Sequence, residues 1–205
     1  GNFARVTSMQ VEAAMRGHLD QGFLAVDIEE LRGAIESLPW VRSASVRRSW
    51  PARLQIIVTE QQAAARWGAT ALVNKAGVLF VEDATHLPAE LPRLDGPDDA
   101  VKQVAEQFFS LQTRLQQVGL AAVALRQDAR GAWELEMSNG MRVRFGAMDL
   151  EVRIDRFFAA LDQVLAPVAA KVDYVDMRYT NGFAIGWKNE GETRLADLKE
   201  NDPHA

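Results

Sequence analysis

Hydrophobic and polar positions change period several times along the chain, and the changes mark out its elements. Residues 8–19 suit a short helix with Met9, Ala13 and Met15 among its apolar positions. Over residues 27–37, Ile28, Leu31, Ile35 and Leu38 recur every three to four residues, Asp27 stands at a capping position with Glu30 at the reciprocal one, and Pro39 stops the helix. The period then drops to two. Residues 41–49 and 53–60 read as strands divided by Trp50-Pro51, with Val41, Ala44 and Val46 apolar in the first and Leu54, Ile56 and Val58 sharing one face of the second. Helix, helix, strand, strand is a small α+β module that looks one strand short.

A second region opens at residues 71–81 with two short strands around a turn containing Gly77. Residues 83–97 hold Pro88, Pro92 and Pro97 and read as extended or looped chain. Val101, Val104, Phe108, Leu111, Leu115 and Val118 then follow a helical stripe that Gly119 ends. Residues 120–126 form a strand candidate. A hairpin follows, in which the loop Ser138-Asn139-Gly140 sets Trp133 against Phe145, Leu135 against Val143 and Met137 against Met141, leaving Glu134 opposite Arg144 and Glu136 opposite Arg142. Leu150, Ile154, Phe157, Phe158, Leu161 and Leu165 define one more helix before Pro167. The chain closes on a last hairpin, residues 173–188. A three-residue loop Thr180-Asn181-Gly182 would pair Tyr179 with Phe183, Met177 with Ile185 and Val175 with Trp187. That register puts Val175, Met177, Phe183, Ile185 and Trp187 on a core-facing side and Asp176 and Arg178 on an open one.

The expected fold is α+β, with the small module over residues 1–64, a larger, mostly antiparallel β-domain with two longer helices over residues 65–188, and a polar tail over residues 189–205 expected to be disordered. A chain of 205 residues can bury such cores, and 48% hydrophobic content with five Trp argues for folded protein. The net charge of -5 disfavours a general nucleic-acid-binding or anionic-lipid-binding surface. No apolar run is long enough to span a bilayer, and Gly1-Asn2-Phe3-Ala4-Arg5 lacks the apolar stretch of a signal peptide. With no Cys, disulfides, thiol catalysis and thiolate metal sites are excluded.

Catalysis needs clustered titratable groups, and few are present. His18, His86 and His204 are scattered without metal-ligand spacing, and Asp83 and His86 have no nucleophile in an elbow context. Gly131, Gly140 and Gly146 are turn glycines, not a phosphate loop. Glu134 and Glu136 share a strand face, but ion pairing with Arg144 and Arg142 accounts for them better than acid–base work. Arg42, Arg47, Arg48 and Arg53 make a basic cluster, either a solvated face or a protein-docking patch. The last hairpin reads either as a ribbon that completes the sheet or as an edge to which a partner adds a strand. The pattern alone favours the ribbon, while the terminal position, the small Ala184 and Gly186, and the interface-prone Arg178 support the edge.

Several separated motifs resemble the periplasmic region of the FtsQ family of bacterial cell-division proteins. Leu38-Pro39-Trp40-Val41, Ala44-Ser45-Val46-Arg47-Arg48, Trp50-Pro51, Leu54, Val58, Glu60 and Ala65-Arg66-Trp67 are similar to the signature that ends that family's polypeptide-transport-associated (POTRA) domain. Leu72-Val73-Asn74, Gly77 and Phe80 look like the start of its β-domain, and Trp133-Glu134-Leu135, Asn139-Gly140 and the run from Val175 to Trp187 resemble its closing strands. The resemblance implies a non-enzymatic division scaffold, without cofactor or metal, whose periplasmic domain hangs from one inner-membrane helix at the septum. It also implies FtsB and FtsL as partners, chiefly FtsB, whose C-terminal segment forms a helix and then a strand on the last strand of the β-domain. By motif, Tyr174, Arg178, Tyr179, Asn181, Gly182 and Trp187 match contact positions, Phe183, Ala184, Ile185 and Gly186 supply backbone, and Arg130 matches a basic residue that meets an acidic side chain of FtsB. Gly1-Asn2 would be the remnant of the turn after a truncated first POTRA strand. The runner-up is a POTRA-bearing chaperone or docking module of an outer-membrane assembly or secretion system, which the single module and unrelated second region disfavour.

Overall fold

A computed structural model describes residues 5–19, 22–23 and 25–188. Gly1-Asn2 and the predicted tail, residues 189–205, lie outside them. The first module runs α1 (Ser8–Leu19), α2 (Ile28–Glu36), β1 (Val41–Ser49) and β2 (Arg53–Glu60), the order its patterning predicts. Asp27 starts α2 by accepting the N–H groups of Glu29 and Glu30 at 2.8 and 3.2 Å, which satisfies two of the helix's unpaired donors. The reciprocal half of the capping box is replaced: the Glu30 carboxylate faces His18 Nδ1 at 3.7 Å. In α1 the buried positions are Val11 and Met15, one turn apart, while Met9 turns to solvent. These residues, with Leu31 and Ile35 of α2 and Val41, Ala44 and Val46 of β1, form one core under the antiparallel β1–β2 pair.

The second region is a nine-stranded sheet of order β11-β10-β9-β8-β7-β6-β3-β4-β5. It contains β3 (Ala65–Trp67), β4 (Ala71–Val73), β5 (Leu79–Val81), β6 (Arg93–Asp95), β7 (Ala122–Gln127), β8 (Trp133–Met137), β9 (Arg142–Gly146), β10 (Val172–Asp176) and β11 (Ala184–Trp187). Of these, β3 and β6 were not predicted. Each is three residues long, too short for its pattern to be read; β6 pairs in parallel on both sides with strands distant in sequence, and β3 joins it in parallel while pairing antiparallel with the adjacent β4. Two helices, α3 (Val101–Gln117) and α4 (Leu150–Ala160), cover one face, and α4 continues through a π-helical turn and a 3₁₀ segment into β10.

Side-chain alternation sorts the two faces across the whole sheet. Trp67, Leu94, Leu125, Leu135, Val143, Val175 and Ile185 stand opposite one another strand after strand and pack into the main core with α3 and α4. The neighbouring row on the other face, Asp95, Arg126, Glu134, Arg144 and Asp176, alternates in sign before ending at Ala184. The β8–β9 register is as predicted, with Glu134 opposite Arg144 and Glu136 opposite Arg142, except that a bulge sets Trp133 against Gly146. The ion pairs differ from the expectation. Glu136 reaches across Ala124 of β7 to Arg93 at 2.8 Å and Arg142 binds Asp173 at 3.0 Å, because β6 and β10 bring those charges within reach.

Candidate partner-docking edge

The closing strand β11 lies at one edge of the sheet, beside β10, which itself pairs in parallel with β9. Val175 stands opposite Ile185, Asp176 opposite Ala184 and Tyr174 opposite Gly186. The register therefore sits two residues from the predicted one, and residues 177–183 form the loop in place of three residues. The cause lies outside the hairpin. Met177 N donates to Arg144 O at 2.9 Å, extending the pairing with β9, and Arg156 Nη1 donates to Tyr179 O at 2.8 Å, drawing the loop toward α4. A two-residue offset preserves the faces, so Val175 and Met177 are buried, with Phe183 and Ile185 packed against the core. Trp187 is the exception to the predicted core side. Paired with Val172 beyond a bulge, it is 54% exposed.

Two glycines shape the polar face here. At Gly186 any Cβ would collide with the Tyr174 ring, so the glycine lets that ring lie flat across the edge strand. The Arg144 guanidinium sits 5.0 Å from the centre of the same ring, which makes an Arg144–Tyr174–Gly186 stack over three strands. At Gly146, with φ of +75°, a Cβ would press on the Arg153 guanidinium and on the Arg178 stem. Arg178 thus folds back over β9 and closes a bidentate pair with Asp176, Nε to Oδ1 at 2.9 Å and Nη2 to Oδ2 at 2.6 Å. Asp176 is buried, and its bonds to the Arg178 guanidinium hold its carboxyl below the usual carboxylate range.

Arg130 occupies the turn between β7 and β8, exposed, at the end of the sheet where β9 and β10 finish. The Asp128 side chain organises that turn by accepting the N–H of Arg130 at 2.9 Å and of Ala132 at 2.8 Å; its pKa is lowered, the Ala132 bond being the largest cause. Arg126, Trp133, Glu134, Arg144 and Arg178 line a hollow of about 300 Å³ there. Tyr174 and the four residues of β11 are brought together at the edge, Arg178 sits at its corner, and Tyr179, Asn181, Gly182 and Phe183 belong to the adjoining loop. Sequence reasoning missed two supports of this edge. Arg144 reaches Tyr174 only through the parallel β9–β10 pairing, and Lys188 pins the strand end by donating Nζ to Asn139 O at 2.7 Å and Ala170 O at 3.1 Å. Among the described residues no group of three or more His, Cys, Asp or Glu could hold a metal, and no helix is long and apolar enough to cross a membrane.

Residues 65–178 match the family described as cell division protein FtsQ/DivIB, C-terminal, and residues 1–61 match the POTRA domain, FtsQ-type. The chain is 36% identical over 204 residues to the cell division protein FtsQ of Vibrio cholerae, covering 98% of this chain and 77% of that protein. It is 34% identical over 199 residues to FtsQ of Xanthomonas campestris, covering 97% and 71%, and 35% identical over 189 residues to FtsQ of Burkholderia pseudomallei, covering 90% and 76%. The β-domain match ends at Arg178, before β11, whereas the Vibrio cholerae alignment takes in 98% of the chain.

Proposed function

The chain belongs to the FtsQ/DivIB family of cell division proteins, and from that premise we propose that it is a non-enzymatic periplasmic scaffold that takes the C-terminal segment of FtsB as an added strand on β11. FtsL binds as well, with FtsB the main direct partner, and the scaffold hangs from the inner membrane at the division septum. The observation that carries this reading is the edge itself. The outward N–H and C=O groups of Ala184–Trp187 face no strand among the described residues, and such groups bind an extended peptide through main-chain hydrogen bonds. Tyr179 and Trp187, 59% and 54% exposed at the two ends of the edge, supply the aromatic anchors. Arg130, exposed at the corner of the sheet, supplies positive charge for an acidic side chain, and Arg178 beside it is a contact residue whose own charge is met by Asp176. The outer-membrane alternative draws no support from the second region, which matches the FtsQ/DivIB family instead.

Titration with a synthetic FtsB C-terminal peptide tests the assignment. Tyr179→Ala and Trp187→Ala are each expected to weaken binding roughly tenfold or more, as loss of an interface anchor does, while thermal unfolding stays cooperative. Amides of residues 184–187 are expected to gain protection from hydrogen exchange in the complex. Wild-type affinity in both variants, or protection confined to another strand, would sink the docking assignment.

A further inference from the structure

The tip of the β1–β2 hairpin carries a feature that strand docking at β11 does not use. Trp50 is 80% exposed, the most exposed of the large hydrophobic side chains among the described residues. Its indole is supported from one side by Phe23, whose ring meets it edge-on with centroids 6.3 Å apart. Register places the arginines around it: Arg47 opposite Gln55 and Arg53 opposite Ser49 lie on the solvent face of the hairpin, while Arg48 opposite Leu54 lies on the other and donates to the Val26 carbonyl, tying the tip to the segment before α2. Neither Arg47 nor Arg53 has an ion-pair partner among the described residues. Within the strands of the large sheet Arg93 pairs with Glu136, Arg126 with Asp95 and Arg142 with Asp173, and Arg178 just past β10 pairs with Asp176, whereas Arg130 in the β7–β8 turn has no ion pair among the described residues. A chain of net charge -5 thus leaves unpaired positive charge on the solvent face of the hairpin whose tip carries its most exposed large hydrophobic side chain among the described residues.

We propose that this tip is a contact for anionic lipid, with the Trp50 indole entering the headgroup layer and Arg47 and Arg53 meeting the phosphates beside it. The chemistry suits a lipid surface better than a protein. An indole combines an apolar body with an N–H donor and prefers the membrane–water interface, and guanidinium groups pair with phosphate in bidentate fashion. A convex turn bearing one ring buries far less than the roughly 800 Å² per partner of a stable protein interface, whereas a lipid layer requires no shaped pocket. This inference is independent of the docking edge at β11.

Flotation of the chain with vesicles of phosphatidylcholine, with and without phosphatidylglycerol, tests it at low and high salt. Binding is expected only to vesicles containing phosphatidylglycerol and is expected to fall with salt. Arg47→Ala and Arg53→Ala should each weaken partitioning about fivefold. Trp50→Ala should abolish it without changing the thermal melt, while Trp187→Ala, which removes another exposed indole, should bind as wild type does. Brominated lipid should quench fluorescence in the wild type and not in Trp50→Ala. No phosphatidylglycerol-dependent flotation, equal flotation of Trp50→Ala, or the same loss in Trp187→Ala would each overturn the proposal. So would self-association that depends on Trp50 and is seen by sedimentation in the absence of vesicle binding.

Discussion

Asp176 and Arg178 show how a contact residue can also be a structural one. The guanidinium is largely in water while the carboxylate it holds is buried, so the pair is neither a free surface bridge nor a sealed internal one. Because folding lowers the Asp176 pKa, the pair's contribution is present above the ordinary carboxylate value and is lost as pH falls through the depressed native value. Arg178→Ala is therefore expected to destabilise the fold by about 1–2 kcal/mol near neutral pH, a figure kept low by the guanidinium's exposure. The penalty should shrink in acid as the carboxyl protonates. Urea unfolding of wild type and variant at neutral and acid pH checks this, and a penalty independent of pH would assign the loss to something other than the ion pair. The sequence pattern, with Arg178 on an open face, made it the cleaner probe of partner contact and made Trp187 partly a core residue. The structure exchanges those roles, since Trp187 lies past the end of the core and Arg178 holds a buried charge.

At the scale of strands, legibility followed the number of independent constraints. In the β8–β9 hairpin, apolar pairs and opposite charges demand one register, and that register forms. In the β10–β11 hairpin, alternation settles the faces but leaves registers two residues apart equally good. The choice is made by Met177 N bonding to β9 and by the Tyr174 ring needing a glycine opposite it, neither visible in local sequence. The second requirement can be tested. Gly186→Ala drives a methyl into the ring and is expected to destabilise the fold by about 1–3 kcal/mol, the usual range for overpacking, with Tyr174 or β11 displaced. In a Tyr174→Ala background the same change should be nearly silent. A double-mutant cycle on unfolding free energies measures the coupling, and additive effects would mean that the glycine is required for another reason.

The whole molecule is two cores joined by a narrow seam. Phe80, on the outermost strand β5, belongs to neither core but is buried against Trp40 of the small module, their ring centres 5.1 Å apart at 75°. Arg5 stacks over the same indole at 5.0 Å, and Asn74 Nδ2 donates to Gln61 Oε1 at 3.0 Å across the seam. So small an interface lets the modules move unless the aromatic contact holds. Phe80→Ala should consequently uncouple them. Amides of Leu31 and Ile35 in the small core should exchange faster, while those of Leu135 and Val143 in the large sheet should keep their protection. The sheet order puts this seam at the opposite edge from β11, eight strand spacings or roughly 40 Å away. An edge that recruits its partner through local main-chain bonds has no reason to sense the seam at that distance. Peptide affinity in Phe80→Ala is therefore expected to stay within about twofold of wild type, within the scatter seen for independent sites. A larger loss would show that the small module takes part in docking, and that the sheet carries a signal from one edge to the other.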